Sequence, residues 1–151
     1  METLTVESIL PNQRAELEAA LRPYYAELEP GWAEAPGEVD RKSERLFNDP
    51  DRWLWWGVNE AGERVGFVIF RKFRGWPDAS EWVGSIAEFT IFPAHRRRGY
   101  GIALARQALE TLKAAGCVKV EASVLWSRES SFEFWKAVGF KPTFILTEFN
   151  F

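Results

Sequence analysis

Between Ile86 and Ala115 the chain passes from a β-type run to a helix pattern with only a basic, glycine-bearing loop between them. Ile86 to Phe92 is rich in residues that favour strands, and it stops at Pro93, which has no N–H to offer a continuing ladder. The segment Arg96-Arg97-Arg98-Gly99-Tyr100-Gly101 follows, and a helix pattern begins at once. In it Ile102, Ala105, Leu109 and Leu112 fall on one face, with Gly116 at the position just past the end. Strand, glycine loop and helix together turn backbone amides and the positive end of a helix dipole towards a phosphate. Gly99 and Gly101 stand where a side chain would block close approach. Arg96, Arg97 and Arg98 offer charge-assisted contacts to phosphate oxygens. A lone Gly-x-Gly would be read as a turn. Arg96-x-x-Gly99-x-Gly101 after a proline-stopped strand is more specific, and predicts a site for the diphosphate of a nucleotide-like cofactor.

The elements before and after support that site. Leu4 to Leu10 reads as a first strand closed by Pro11. Asn12 is a candidate N-cap for a helix that Pro23 should disturb or end, unless Tyr24 to Leu28 carries it on. Pro36 to Phe47 reads as a short, charged second helix. Trp53 to Val58 and Arg64 to Phe73 are strands joined by a turn at Asn59 to Glu63, and Trp82 to Phe92 is a long strand. After the helix from Tyr100 to Ala115, Val118 to Leu125 alternates as a strand. Ser127 can cap a helix to Val138, and Gly139 ends it. Phe140 and then Phe144 to Phe151 read as one or two last strands. The order β-α-α-β-β-β-α-β-α-β-β predicts an α/β (α+β) fold: a mixed, mostly antiparallel central sheet flanked by helices on both faces. At 151 residues this is one domain, 1–151, without repeats or linkers.

Composition narrows the function classes. A net charge of −3 gives no case for nucleic-acid or membrane-surface binding. The one cysteine, Cys117, excludes an intrachain disulfide, and with one histidine, His95, no metal site is expected. No apolar run would span a bilayer, and the N-terminus lacks a signal-peptide pattern, so a cytoplasmic protein is expected. Of the eight Trp and twelve Phe, most are expected in the core, because aromatics bury large areas, and some are candidates to line a pocket. The stretch Glu34 to Asp51 is acidic and lies near Trp32. An acidic, aromatic mouth there, with Trp76 and Trp82, would suit a cationic amine.

The loop resembles motif A of the GNAT superfamily of N-acetyltransferases, whose signature is Gln or Arg, two residues, Gly, one residue, then Gly or Ala. Val118 to Phe140 looks like the family's motif B, which ends in Gly-Phe, here Gly139-Phe140. The order of elements matches along the whole chain. The resemblance implies acetyl-CoA as co-substrate, its pyrophosphate held by amides from about Arg97 to Ile102, with Tyr100 packed nearby. It implies that Phe89 and Ile91 pair through their backbone with the pantetheine arm, like an added strand. The Ile91 N–H would polarise the thioester carbonyl where a bulge splays the fourth strand from the fifth. The acceptor would be the amine of a small molecule or a protein. Dimers are common in the family, and Phe144 to Phe151 would be the edge for a homodimer.

An amine attacks only as the free base, and at a pKa of ~10.4 for a lysine-like amine little is neutral at pH 7. A carboxylate can take the proton, directly or through water. Glu88 lies where related enzymes place an acidic base and is the candidate here; Glu81 is the second choice. The family's thiolate-protonating tyrosine would stand four residues before Gly139, where this chain has Trp135. The usual Asn near that helix start is replaced by Arg128, a candidate for a phosphate or for the pantetheine carbonyls. Indole is not a usable acid. A thiol pKa of ~8.5 lets the thiolate leave unassisted, or Tyr24, Tyr25 or a water could serve. The missing tyrosine also motivates an alternative, a non-catalytic acetyl-CoA-binding sensor or interaction module. A nucleotide-binding oxidoreductase ranks last. Glu121 falls near the required spacing, but antiparallel strands before the glycines do not suit that fold.

Overall fold

The computed structural model describes residues 3–125 and 127–151. Its elements run β1 (Leu4–Ser8), α1 (Arg14–Leu28), α2 (Glu38–Phe47), β2 (Arg52–Asn59), β3 (Arg64–Arg74), β4 (Trp82–Ile91), α3 (Tyr100–Ala114), β5 (Cys117–Ala122) and α4 (Glu129–Val138). The strands lie side by side in sequence order. The first four pair antiparallel, and β5 joins β4 in parallel after the α3 crossover. The mixed, mostly antiparallel sheet is therefore the one the sequence predicts.

Each face of the sheet carries its own core. On one, α1 and α2 bring Leu17, Leu21, Tyr25, Val39 and Leu46 onto Trp56, Phe67 and Ile69. On the other, α3 and α4 bring Leu104, Ala105, Ala108, Leu112 and Trp135 onto Val68, Phe70 and Ile86. Alternation along β3 sends Phe67 and Ile69 one way and Val68 and Phe70 the other, so both faces of this central strand are apolar. The buried face of α3 is turned slightly from the predicted stripe. Tyr100, Leu104 and Ala108 join Ala105 and Leu112, while Ile102 and Leu109 stay half-buried.

Pro23 does not end α1, which runs through it to Leu28. The ring sits on the exposed side, so the missing N–H leaves one carbonyl of the preceding turn to water. Pro23→Ala restores that hydrogen bond and is expected to stabilise the protein by about 1–3 kcal/mol, read as a rise of several degrees in thermal unfolding. Ser43 is fully buried but satisfied. Arg14 Nε donates to it at 2.9 Å, and its hydroxyl lies 3.2 Å from Glu18 Oε1, tying α2 to α1.

Two expectations for the C-terminal part are corrected. Arg128, not Ser127, is the N-cap of α4, and its carbonyl accepts the Phe132 N–H at 3.1 Å. No strand forms over residues 139–151. Phe144, Ile145, Leu146, Phe149 and Phe151 are all at least 74% exposed. Apolar character alone does not make a strand, because the ladder needs a partner, and Pro142 withholds an N–H at its entrance. The expected dimer edge is thus not a strand in this structure.

Candidate active site

The site begins with one extra residue in β4. Ile69 opposes Glu88 and the next residue, Phe70, opposes Ile86, so Ala87 has no partner on β3. It is a bulge, and bulges bend and twist the strand that carries them. β5 pairs with β4 only from Trp82 to Ile86 and leaves it where the bulge begins. Beyond it, the Phe92 N–H donates to Val65 O, so alternation turns the backbone of Thr90 towards β3 and that of Phe89 and Ile91 away from it. The segment from Ala87 to Ile91 therefore presents an edge with no strand beside it among the described residues. Phe89 packs against Phe134 and Trp135 of α4, each at 5.2 Å between ring centroids, and these rings line the wedge.

The loop at the end of that edge has the backbone of an anion cradle. Arg97 at φ 64° and Gly99 at φ 84° both occupy the left-handed region, and Gly99 is the N-cap of α3. Residues alternating in this way turn successive amides inward. A Cβ on Gly101 would sit 3.1 Å from the Phe134 ring, so this glycine lets α4 close onto the first turn of α3. Ile102 follows on that turn and is half-buried. Arg97 and Arg98 are exposed. Tyr100 is a core residue at 2% exposure, so its ring lies inward rather than on the loop surface.

Arg96 lies elsewhere than the run of three arginines suggests. Its Nε donates to Ile91 O at 2.7 Å, and its Nη2 reaches both oxygens of Glu27 at 2.8 and 3.0 Å. Arg128 Nη2 is 3.6 Å from Glu27 Oε1, and Arg128 also donates to the Glu27 carbonyl. The end of α1 thus ties the end of β4 to the start of α4 across the mouth of the wedge. Nothing in the sequence links Glu27 to either arginine.

Glu88 shares the α1 side of the sheet with Ile69. The Tyr25 hydroxyl donates to its Oε1 at 3.4 Å, and the Tyr24 hydroxyl lies close beside it. The Tyr24 hydroxyl lies near both the carboxylate and the Phe89 backbone of the open edge. Burial pushes the Glu88 carboxyl above its ordinary value; the bond from Tyr24, the charge of Lys42, the bond from Tyr25 and the charge of Arg52 oppose the rise. Both tyrosines are pushed well above the ordinary phenol value, first by burial and then by the Glu88 charge. They stay protonated as donors to Glu88. Sequence reasoning offered Tyr24 and Tyr25 as proton donors to the thiolate and not as partners of Glu88, whose face the bulge at Ala87 sets.

The remaining candidates fall away from the chemistry. Glu81 is exposed in the loop before β4. Trp135 is 9% exposed, at 5.0 Å from both Phe134 and Phe140, where it acts as packing. His95 is half-buried, and its Nδ1 has no partner among the described residues. Cys117 packs against the α3 core as a small filler. Three carboxylates of the expected acidic mouth are held in ion pairs. Glu34 pairs with Arg22, Asp40 with Arg14, and Asp49 with Arg52 and Arg71. Trp82 lies under Lys72 and Arg74, with their charged groups 4.3 and 3.9 Å from its ring, and Trp76 is 91% exposed.

The family model described as Acetyltransferase (GNAT) family matches residues 15–140. No curated protein sequence matches the chain. Among solved structures, a putative acetyl transferase from Pyrococcus furiosus is 19% identical over 99% of this chain and 100% of its own, with TM-score 0.79. A transcriptional regulator from Bacillus halodurans C-125 has the same identity, coverage and TM-score. The aminoglycoside N-acetyltransferase AAC(6')-Iy in complex with CoA is 14% identical over 99% of this chain and 95% of its own, with TM-score 0.76. These likenesses establish the fold.

Proposed function

Because the chain belongs to the acetyltransferase (GNAT) family, we propose that it transfers an acetyl group from acetyl-CoA to the primary amine of a small molecule or a protein. The observation that carries this reading is the open β4 edge from Ala87 to Ile91, which leads from the buried Glu88 to the left-handed loop at Arg97 and Gly99. The fit to coenzyme A rests on three features: two left-handed residues, a glycine in the first turn of α3, and an edge with backbone groups facing outwards.

In this reading the diphosphate lies on the amides of about residues 97–102, and the pantetheine arm runs along Phe89 and Ile91. Of the three arginines, Arg97 and Arg98 supply charge to the phosphates, whereas Arg96 braces the edge through Ile91 O and Glu27. Arg128 reaches the pantetheine carbonyls only by leaving Glu27. The amine nitrogen attacks the thioester carbon, with the thioester oxygen on an N–H of the open edge, that of Ile91 or of Phe89. The carbon–sulfur bond then breaks. Glu88 takes the amine proton, directly or through a water, and the thiolate takes its proton from solvent.

Titration calorimetry with acetyl-CoA, followed by thiol release over a panel of amines, tests this. Binding together with amine-dependent thiol release is expected. Binding without thiol release on any amine would turn the reading to a sensor; absence of binding would remove it.

A further inference from the structure

Two arginines near Glu88 have more charge than the protein answers. Arg52 on β2 lies directly opposite Arg71 on β3, and like charges in that position repel. Alternation along β3 puts Arg71 on the face of Phe67 and Ile69, beneath α1 and α2, and Ile69 opposes Glu88. Arg52, Arg71 and Glu88 therefore share one face of three adjacent strands. The wedge that would take the pantetheine opens beside it.

One carboxylate serves both guanidinium groups. Asp49 Oδ2 is 3.2 Å from Arg52 Nη2 and 3.5 Å from Arg71 Nε, while its Oδ1 accepts the Asp51 N–H. Arg52 Nε is buried with no hydrogen-bond partner among the described residues, and Arg71 Nε lies near Asp49 without bonding geometry. Buried donors of this kind are rare and costly unless something supplies an acceptor. Arg71 remains 40% exposed, so the pair is open to a ligand on one side.

We infer that the acceptor is an amine that also carries a carboxylate, an amino-acid-class compound whose carboxylate lies on Arg52 and Arg71 while its amine faces Glu88. A carboxylate matches the guanidinium fork, and a shift of either side chain onto it would give its buried Nε an acceptor. Arg71 is two residues along β3 from the partner of Glu88, about 7 Å, a span that a small bifunctional molecule and two side chains can bridge. The assignment rests on the acetyl-transfer reading above. It also separates this site from one built for a polycation, which would meet Lys42, Arg52 and Arg71 against two carboxylates, Glu88 and Asp49, the second already held by both arginines.

The test sets amino acids (glycine, alanine, glutamate and lysine) against their own carboxamides as acceptors. The carboxamides have the less basic amine, hence more free base, so intrinsic reactivity favours them. A preference for the acids in kcat/KM of about 10-fold or more is expected, in line with charge-assisted hydrogen bonds. In Arg71→Gln, which changes a part-exposed side chain, KM rises about 10-fold more for the acids than for the carboxamides, and the preference disappears. Binding of the N-acetylated acids and amides, followed by tryptophan fluorescence, reads the same site without turnover. The acids alone should bind, and Arg71→Gln or Arg52→Gln should abolish it. Equal use of acids and amides, equal effects of Arg71→Gln on both, or no binding of the N-acetyl acids would overturn the inference. Amine-dependent transfer with no acid preference sinks this assignment and leaves the acetyl-transfer reading standing. Acid binding without any transfer does the reverse.

Discussion

Glu88→Gln is expected to lower kcat by about 10²–10³-fold, the range for losing a positioned general base, while acetyl-CoA affinity changes by less than about twofold. Glutamine keeps the shape and can still accept from Tyr24 and Tyr25, so the pocket has no reason to rearrange. What disappears is the group that takes the amine proton. The carboxyl lies on the α1 side, whereas the proposed cofactor contacts are backbone groups of the open edge, so the two readouts separate. A variant with full turnover from pH 6 to 9 would remove Glu88 from the chemistry.

The pH profile carries the sign. Burial raises the Glu88 carboxyl above its ordinary value. Activity should therefore rise with pH through a midpoint above the ordinary carboxylate range, and that limb should vanish in Glu88→Gln while any limb from the amine itself persists. Tyr25→Phe removes a hydrogen bond that favours the ionised form and should move the limb higher. Stability runs the other way. A carboxyl whose folded value is raised binds its proton more tightly in the native state. Its contribution is therefore largest below the unfolded value and is lost as pH rises through the folded one. Glu88→Gln should accordingly be no less stable than the parent at neutral pH.

The strand–loop–helix unit was legible because its signals are local: Pro93 stops the strand, Gly99 tolerates φ 84°, and a helix stripe follows. The hairpin of β2 and β3 was legible for the same reason. The Asn59 side chain accepts the Ala61 and Glu63 N–H groups, and Gly62 takes φ 82°. The face of Glu88 was not legible. Strict alternation puts Ile86 and Glu88 on one face; the bulge at Ala87 puts Ile86 with α3 and Glu88 with Tyr25. A register shift of one residue leaves no mark in composition. The basic neighbours of Arg96 in sequence make it read as a phosphate contact. Its partner Glu27 is 69 residues away and only the fold joins them. The same holds for Arg52 and Arg71, ordinary strand-end arginines until the register sets them face to face. In the tail, apolar content suggested a strand, but a strand requires an edge that no local pattern announces.

Substitutions in the loop should remove cofactor binding without unfolding the protein. Gly101→Val is expected to weaken acetyl-CoA by about 10²-fold or more. Its Cβ would press on the Phe134 ring, which is itself stacked on Phe89, so the start of α3 must move away from α4 and carry its amides with it. Losing two charge-assisted amide–phosphate bonds at about 1.5–3 kcal/mol each accounts for that size. Gly99→Val reaches the same end differently. A branched side chain at φ 84° costs about 1–2 kcal/mol, so the turn rebuilds with its amides misdirected. Either cost is small beside the ~5–15 kcal/mol of a typical domain, and far-UV circular dichroism should show a folded protein. The diphosphate provides the control. S-acetylpantetheine lacks it, so both variants should use that shortened donor about as well as the parent does. Unchanged acetyl-CoA affinity in the folded variants would mean that the phosphates bind elsewhere. An equal loss on both donors would mean that the glycines serve packing around Phe134 rather than the approach of an anion.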